Sequence, residues 1–139
     1  VVKIRVIDAT ETLFIRQKVL WPDLSIEDCI LKNDADGIHI GAFDQGTLIA
    51  VASVFEGQGH YRLRKFAVVP EKQGGGVGSD ILRYIFNMLT HNTSKTLWLD
   101  ARITALPFYE KCGFEQTGAT FLKGDVHYIK MYRALTILP

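Results

Sequence analysis

The sequence predicts one α/β domain, residues 1–139, built on a mixed and mostly antiparallel sheet. Three observations lead there. Alternating apolar runs follow one another across residues 37–69 with only turn residues between them, as in a meander of hairpins. A helical stripe then runs through Val77, Ile81, Ile85, Met88 and Leu89, with Ser79, Asp80, Arg83 and Asn87 opposite. Between the two patterns lies a glycine-rich turn, Gln73-Gly74-Gly75-Gly76-Val77-Gly78.

The elements can be justified in order. Residues 2–7 alternate as a strand. Leu13, Phe14, Gln17, Val19 and Leu20 mark a helix over 9–20, with Asp8 or Thr10 as cap. Trp21-Pro22 ends it, because the residue before proline is pushed out of the helical region. Ser25 and Asp28 are spaced like an imperfect capping box and open a short second helix. Strands over 37–43 and 47–55 are joined at Asp44-Gln45-Gly46, and Glu56-Gly57-Gln58-Gly59-His60 breaks the chain before a strand over 61–69. In that strand Tyr61 and Leu63 share one phase and Phe66 and Val68 the other, with Arg64-Lys65 between. Either a β-bulge or burial on both faces accounts for the slip.

After the central helix, His91-Asn92-Thr93-Ser94 terminates the pattern and residues 96–100 form a short strand. Thr104 can cap a helix carrying Phe108, Tyr109 and Cys112, with Pro107 in its first turn and Gly113 closing it. Runs over 114–121 and 126–133 form a last hairpin turning at Lys123-Gly124-Asp125. The sum is six to seven strands and about four helices.

Composition narrows the function classes. Apolar residues make up 47% and charged residues 22% of the chain, as in a soluble globular domain. A net charge of +1 gives no electrostatic case for nucleic acid or an anionic membrane. No apolar run approaches the roughly 18–20 residues of a membrane span. The opening Val-Val-Lys-Ile-Arg enters an alternating pattern directly, so no signal peptide is expected. Cys29 and Cys112 are too few for a disulfide framework or a metal site. A reduced, cytoplasmic, metal-free protein is the expectation.

A glycine-rich turn at a helix N-terminus offers backbone N–H groups to an anion, aided by the helix dipole. Three phosphate-binding loops can be compared. A nucleoside-triphosphate loop needs a lysine where Ser79-Asp80 stands. A dinucleotide fingerprint would place Ser79 at its third glycine and would follow the first strand of a parallel unit. The pattern [Gln/Arg]-x-x-Gly-x-[Gly/Ala] is met at every fixed position by Gln73 through Gly78.

With that loop, the segment Leu63 to Gly78 resembles the central strand, pyrophosphate loop and helix of the GNAT superfamily of N-acyltransferases. Ala105-Leu106-Pro107-Phe108-Tyr109-Glu110-Lys111-Cys112-Gly113-Phe114 is similar to that family's second signature. The spacing of the two blocks and the element order agree, so the resemblance covers essentially the whole chain. It implies a GNAT-like fold splayed at the central strand, with acetyl-CoA as cosubstrate.

The resemblance also implies roles. Backbone N–H groups of Gln73, Gly74, Gly75, Gly76, Val77, Gly78 and Ser79 would hold the pyrophosphate. Phe66, Ala67 and Val68 would line the pantetheine arm, the free backbone groups of Phe66 and Val68 pairing with its amides and an N–H there steadying the oxyanion of a tetrahedral intermediate. Phe108 would border the cofactor, and Tyr109 would be the general acid for the departing thiolate. The glutamate that family members often carry on the central strand is missing from Tyr61-Arg62-Leu63-Arg64. Glu56, His60, Asp100, His127 or a water chain remain as bases. Asp100-Ala101-Arg102 stands where the family often has a polar cofactor contact, and none is carried over. Trp21 falls where relatives build the acceptor pocket, and it can equally staple the helix–loop junction.

An acetyltransferase acting on a primary amine of a small molecule or peptide is the leading reading. An acyl-CoA sensor of the same fold and a nucleotide-binding interaction domain are the alternatives. Homodimerisation through the last hairpin is possible, and the acceptor is not written in the sequence.

Overall fold

The computed structural model describes residues 2–90 and 95–135. The expected helix terminator at 91–94 lies outside them. Seven strands form one sheet in the order β1-β2-β3-β4-β5-β7-β6. They are β1 (Val2–Ile7), β2 (Ile38–Asp44), β3 (Thr47–Gly57), β4 (His60–Val68), β5 (Thr96–Arg102), β6 (Glu115–Lys123) and β7 (Val126–Ala134). Every neighbouring pair is antiparallel except β4 and β5, which run parallel. The α-helices are α1 (Leu13–Ile15), α2 (Val77–Leu89) and α3 (Leu106–Lys111). No helix among the described residues is long and apolar enough to cross a membrane.

The β2–β3 hairpin turns through Gln45 and Gly46, both at positive φ (49° and 81°), the twist-matched form of a two-residue turn. Ile49 through Phe55 of β3 is buried without alternation. The reason is cover on both faces: α2 packs against the β1–β4 region, and the helical segment that follows β1 packs against β3 and β4. In α2, Val77, Ile81, Leu82, Ile85, Phe86 and Leu89 are buried, so the helical stripe is somewhat wider than the sequence period shows.

The first helical segment departs from the expected regular helix. It is a 3₁₀ turn (Ala9–Thr12), the single α turn α1, and a π segment (Arg16–Leu20) closed by the Trp21 N–H on the Arg16 carbonyl at 3.0 Å. Asp8 precedes it, its N–H bonded by Glu11 Oε1 at 3.0 Å. The segment's inner face carries Thr12, Leu13, Ile15 and Arg16, all buried, and Phe14 is 64% exposed. The second expected helix is only a 3₁₀ turn, Glu27–Cys29, where Ser25 Oγ accepts the Asp28 N–H at 3.2 Å. Thr104 does not cap α3; it lies inside a 3₁₀ turn (Ile103–Ala105) that leads into it. Gly113, at φ 91°, ends α3 as expected.

Under this segment lies a buried polar network. Arg16, fully buried, bonds both carboxylate oxygens of Asp34 (Nη1–Oδ2 2.7 Å, Nη2–Oδ1 2.9 Å), the Cys29 carbonyl at 3.1 Å and Ser53 Oγ at 3.0 Å. His39 lies between Ser53 Oγ (2.7 Å) and the Asp34 carbonyl (2.8 Å). Nε2 carries a proton in the carbonyl contact, since the carbonyl can only accept. Burial alone would raise the Asp34 carboxyl, but hydrogen bonds from Arg16 and the Leu31 N–H, with the Arg16 charge, hold it below its ordinary value.

Two features of β4 position the site. Val51 pairs with Ala67 and Ser53 with Arg64, so Ala52 faces two residues, Lys65 and Phe66. This is a β-bulge, and Lys65 adopts φ 52° there. The phase slip seen in the sequence is therefore a bulge. Secondly, β4 and β5 pair only from His60 with Thr96 to Arg62 with Trp98, although β4 continues to Val68 and β5 to Arg102. Beyond Arg62 the sheet divides.

Candidate active site

Two cavities open from this division. One, of about 590 Å³, is bordered by the glycine loop and by Val77, Gly78, Ser79 and Phe108. The other, of about 510 Å³, is bordered by Trp21, the Arg62–Val68 stretch, Asp100, Arg102, Lys123 and Tyr128. Phe66, Val68, Gln73, Ala105 and Tyr109 border both. Of the sequence-predicted residues, Phe66, Val68, Gln73 and Tyr109 lie on this common wall, Ala67 borders only the second cavity, and Gly75 borders neither.

The glycine loop has the geometry of an anion cradle. Gly74 and Gly76 sit at φ 82° and 90°, and a Cβ at either would meet nothing within 4 Å, so the space above the backbone is open. A Cβ on Gly78 would come within 3.2 Å of the Phe108 ring and 3.3 Å of Phe66. The first bond into α2 is the Asp80 N–H to the Gly76 carbonyl at 3.0 Å, which leaves the N–H groups of Val77, Gly78 and Ser79 ahead of the helical ladder. Gln73 Nε2 donates to the Val68 carbonyl at 2.8 Å and ties the loop to the divided strand. A Gly76→Ala variant is expected to lose about 1–2 kcal/mol of stability by forcing a side chain into this conformation. The denaturation midpoint checks that loss.

Just past β4 the Val69 N–H donates to the Ile49 carbonyl of β3 at 2.9 Å. By strand alternation the Val68 N–H points the other way, into the division. Ala67 is buried and borders the second cavity.

Tyr109 packs in an aromatic cluster, its ring centroid 5.0 Å from Phe108, 5.7 Å from Phe114 and 6.5 Å from Phe66. Burial pushes its phenol well above the ordinary value, so it stays protonated through neutral pH. Among the described residues its hydroxyl has no hydrogen-bond partner. It is a proton-bearing group held rigidly at the junction of the cavities.

The base candidates separate by position. Glu56 bonds Lys95, and His60 Nδ1 contacts the Gln58 carbonyl, both at the paired end of β4. His127 is exposed on β7 and borders neither cavity. Only Asp100 borders a cavity, and its Oδ2 already accepts from Arg62 Nη2 at 3.1 Å and Lys123 Nζ at 3.0 Å.

Sequence reasoning passed over Lys65 as a site residue. Its Nζ lies 4.1 Å from the Trp21 ring centroid. Burial, then the charges of Arg64, Lys123, Arg16 and Arg62, push its pKa down to about 8. The available signal was the basic pair at the phase slip, where a bulge re-aims side chains. Trp21, with Val19 and Leu20 from the π segment, forms the opposite wall.

Comparison with known proteins places this architecture. The model of the acetyltransferase (GNAT) domain matches residues 26–135. The uncharacterized N-acetyltransferase YitI of Bacillus subtilis (strain 168) is 32% identical over 144 residues, covering 96% of each chain. The ribosomal-protein-S18-alanine N-acetyltransferase of Escherichia coli superposes with a TM-score of 0.80 at 19% identity, covering 100% of this chain and 97% of that one. An aminoglycoside 6'-N-acetyltransferase complexed with coenzyme A does so at 0.79 and 17% identity, covering 99% of both. The divided sheet, the glycine loop and these matches agree: the chain belongs to the GNAT family of N-acetyltransferases.

Proposed function

We propose that this protein transfers an acetyl group from acetyl-CoA to a primary amine of a small molecule or peptide, by direct attack within the divided sheet. The observation that carries this reading is the shared wall: a loop-bordered cavity and a second cavity of similar size meet at Val68 and Tyr109.

Acetyl-CoA, when bound, supplies an activated thioester. The residues present fit it. The loop from Gln73 to Ser79 offers backbone donors to a pyrophosphate, and Gly78 keeps the backbone close to Phe66 and Phe108. The Val68 N–H, unclaimed by β3, is aimed to steady negative charge on a carbonyl oxygen. Tyr109 gives a proton or hydrogen bond to the leaving sulfur. Water entering the open second cavity takes the amine's proton, since Asp100 is already held by two cations.

That pairing of Asp100 also favours a second reading, an acyl-CoA sensor without turnover. One experiment separates them: calorimetry with acetyl-CoA, then thiol release across amines, amino acids and peptides. Binding with thiol release that depends on an amine is the expected result. Binding without release on any amine identifies the sensor, and absence of binding defeats both.

A further inference from the structure

The second cavity carries Arg62, Arg64, Lys65, Arg102 and Lys123 against one carboxylate, Asp100. The chain as a whole carries 16 basic and 15 acidic residues, so this excess is local. Arg62 and Lys123 share the single acidic group. Among the described residues, Arg64, Lys65 and Arg102 have no carboxylate partner. Arg64 and Lys65 are half-buried neighbours on the bulge, and Lys65 holds a left-handed conformation unfavourable for its side chain. Burial is the main cause lowering both pKa values; Arg62 and Arg16 add to it at Arg64, where Asp34 and Asp100 act in the opposite sense, and Arg64 adds to it at Lys65. Half-buried cations that outnumber the carboxylates around them favour an anionic ligand. The cluster is not needed for the pyrophosphate loop, which opens into the other cavity with Lys72 and Lys111.

We infer that the acceptor is an amine that also bears a carboxylate or phosphate, held by Arg64, Lys65 and Arg102 with Trp21 against its apolar part. This deepens the acetyltransferase reading and rests on it. Polycationic amines would meet like charge at the same wall. The cations also do part of a base's work: a positive surround lowers the pKa of the bound ammonium, so the amine loses its proton to water more readily and attacks in its neutral form. A missing strand carboxylate is then a consequence of the acceptor's charge.

The test uses the protein with acetyl-CoA and matched amines: glutamate against its diamide, phosphoethanolamine against ethanolamine, and spermidine as the polycation. Thiol release gives kcat/KM, and calorimetry on the coenzyme A complex gives acceptor affinity. The anionic member of at least one pair is expected to be preferred by about tenfold or more, and which pair responds tells carboxylate from phosphate. Arg64→Gln and Lys65→Asn, the latter tolerant of positive φ, should each raise KM for that amine about tenfold and leave acetyl-CoA affinity unchanged. Affinity should also fall as pH rises through the Lys65 value of about 8, an effect absent in Lys65→Asn.

Preference for the diamide, ethanolamine or spermidine overturns the inference. So does an unmoved KM in both variants, or no binding by either anionic amine. Anionic amines that bind without thiol release uphold the anion site and overturn the transferase reading instead.

Discussion

Tyr109→Phe is expected to lower kcat about a hundredfold or more, the usual worth of a positioned general acid, while acetyl-CoA affinity and thermal stability stay near those of the parent. Stability should hold because phenylalanine keeps the ring contacts to Phe66, Phe108 and Phe114. The lost hydroxyl gives up no hydrogen bond to the described protein. The kcat loss should be independent of pH across the neutral range, because burial keeps the phenol protonated well beyond it. Steady-state thiol release and coenzyme calorimetry check the two halves. Undiminished turnover in the variant would remove Tyr109 from the chemistry.

Asp34→Ala is expected to cost about 3–5 kcal/mol, the usual penalty for stranding one partner of a buried ion pair. Arg16 would keep the Cys29 carbonyl and Ser53 but lose both bonds to carboxylate in a site without solvent. For a domain whose whole stability is of order 5–15 kcal/mol, that approaches unfolding. Adding Arg16→Met should recover part of the loss, since the stranded charge goes with it. Urea midpoints of the two variants decide the matter. The same pair predicts a pH window. The Asp34 carboxyl is lower in the folded chain than its ordinary 3.8, so its stabilisation is present above 3.8 and is lost as pH falls through the folded value. The effect reaches the second cavity, because the π segment that begins at Arg16 carries Val19 and Leu20, and leads into Trp21, along its lining.

What could be read from the sequence was what period and glycine spacing encode. Strand order along the chain, the β2–β3 turn, α2 and the glycine loop were legible because each depends on neighbours within a few residues. The first helix was legible in extent but not in phase. Apolar character puts Phe14 inward, whereas the face that buries Thr12, Leu13 and Ile15 takes in Arg16, and no local signal announces a buried arginine whose partner, Asp34, is 18 positions on. Phe66, Val68, Gln73 and Tyr109 could be named as candidates because two motif blocks contain them. Lys65, Arg102 and Lys123 were not, because their meeting in one cavity depends on where β4 and β5 part and where the last hairpin returns.

That parting makes a sheet of seven strands with four borders along part of its length. The two blocks, β1 to β4 and β5 with β7 and β6, are stitched by the short run from His60–Thr96 to Arg62–Trp98. On the proposed function, an extended ligand bearing amides would lace the remaining seam as an eighth strand. Ligand affinity and the cohesion of the two blocks are then a single quantity, and the melting temperature should rise with the logarithm of coenzyme concentration.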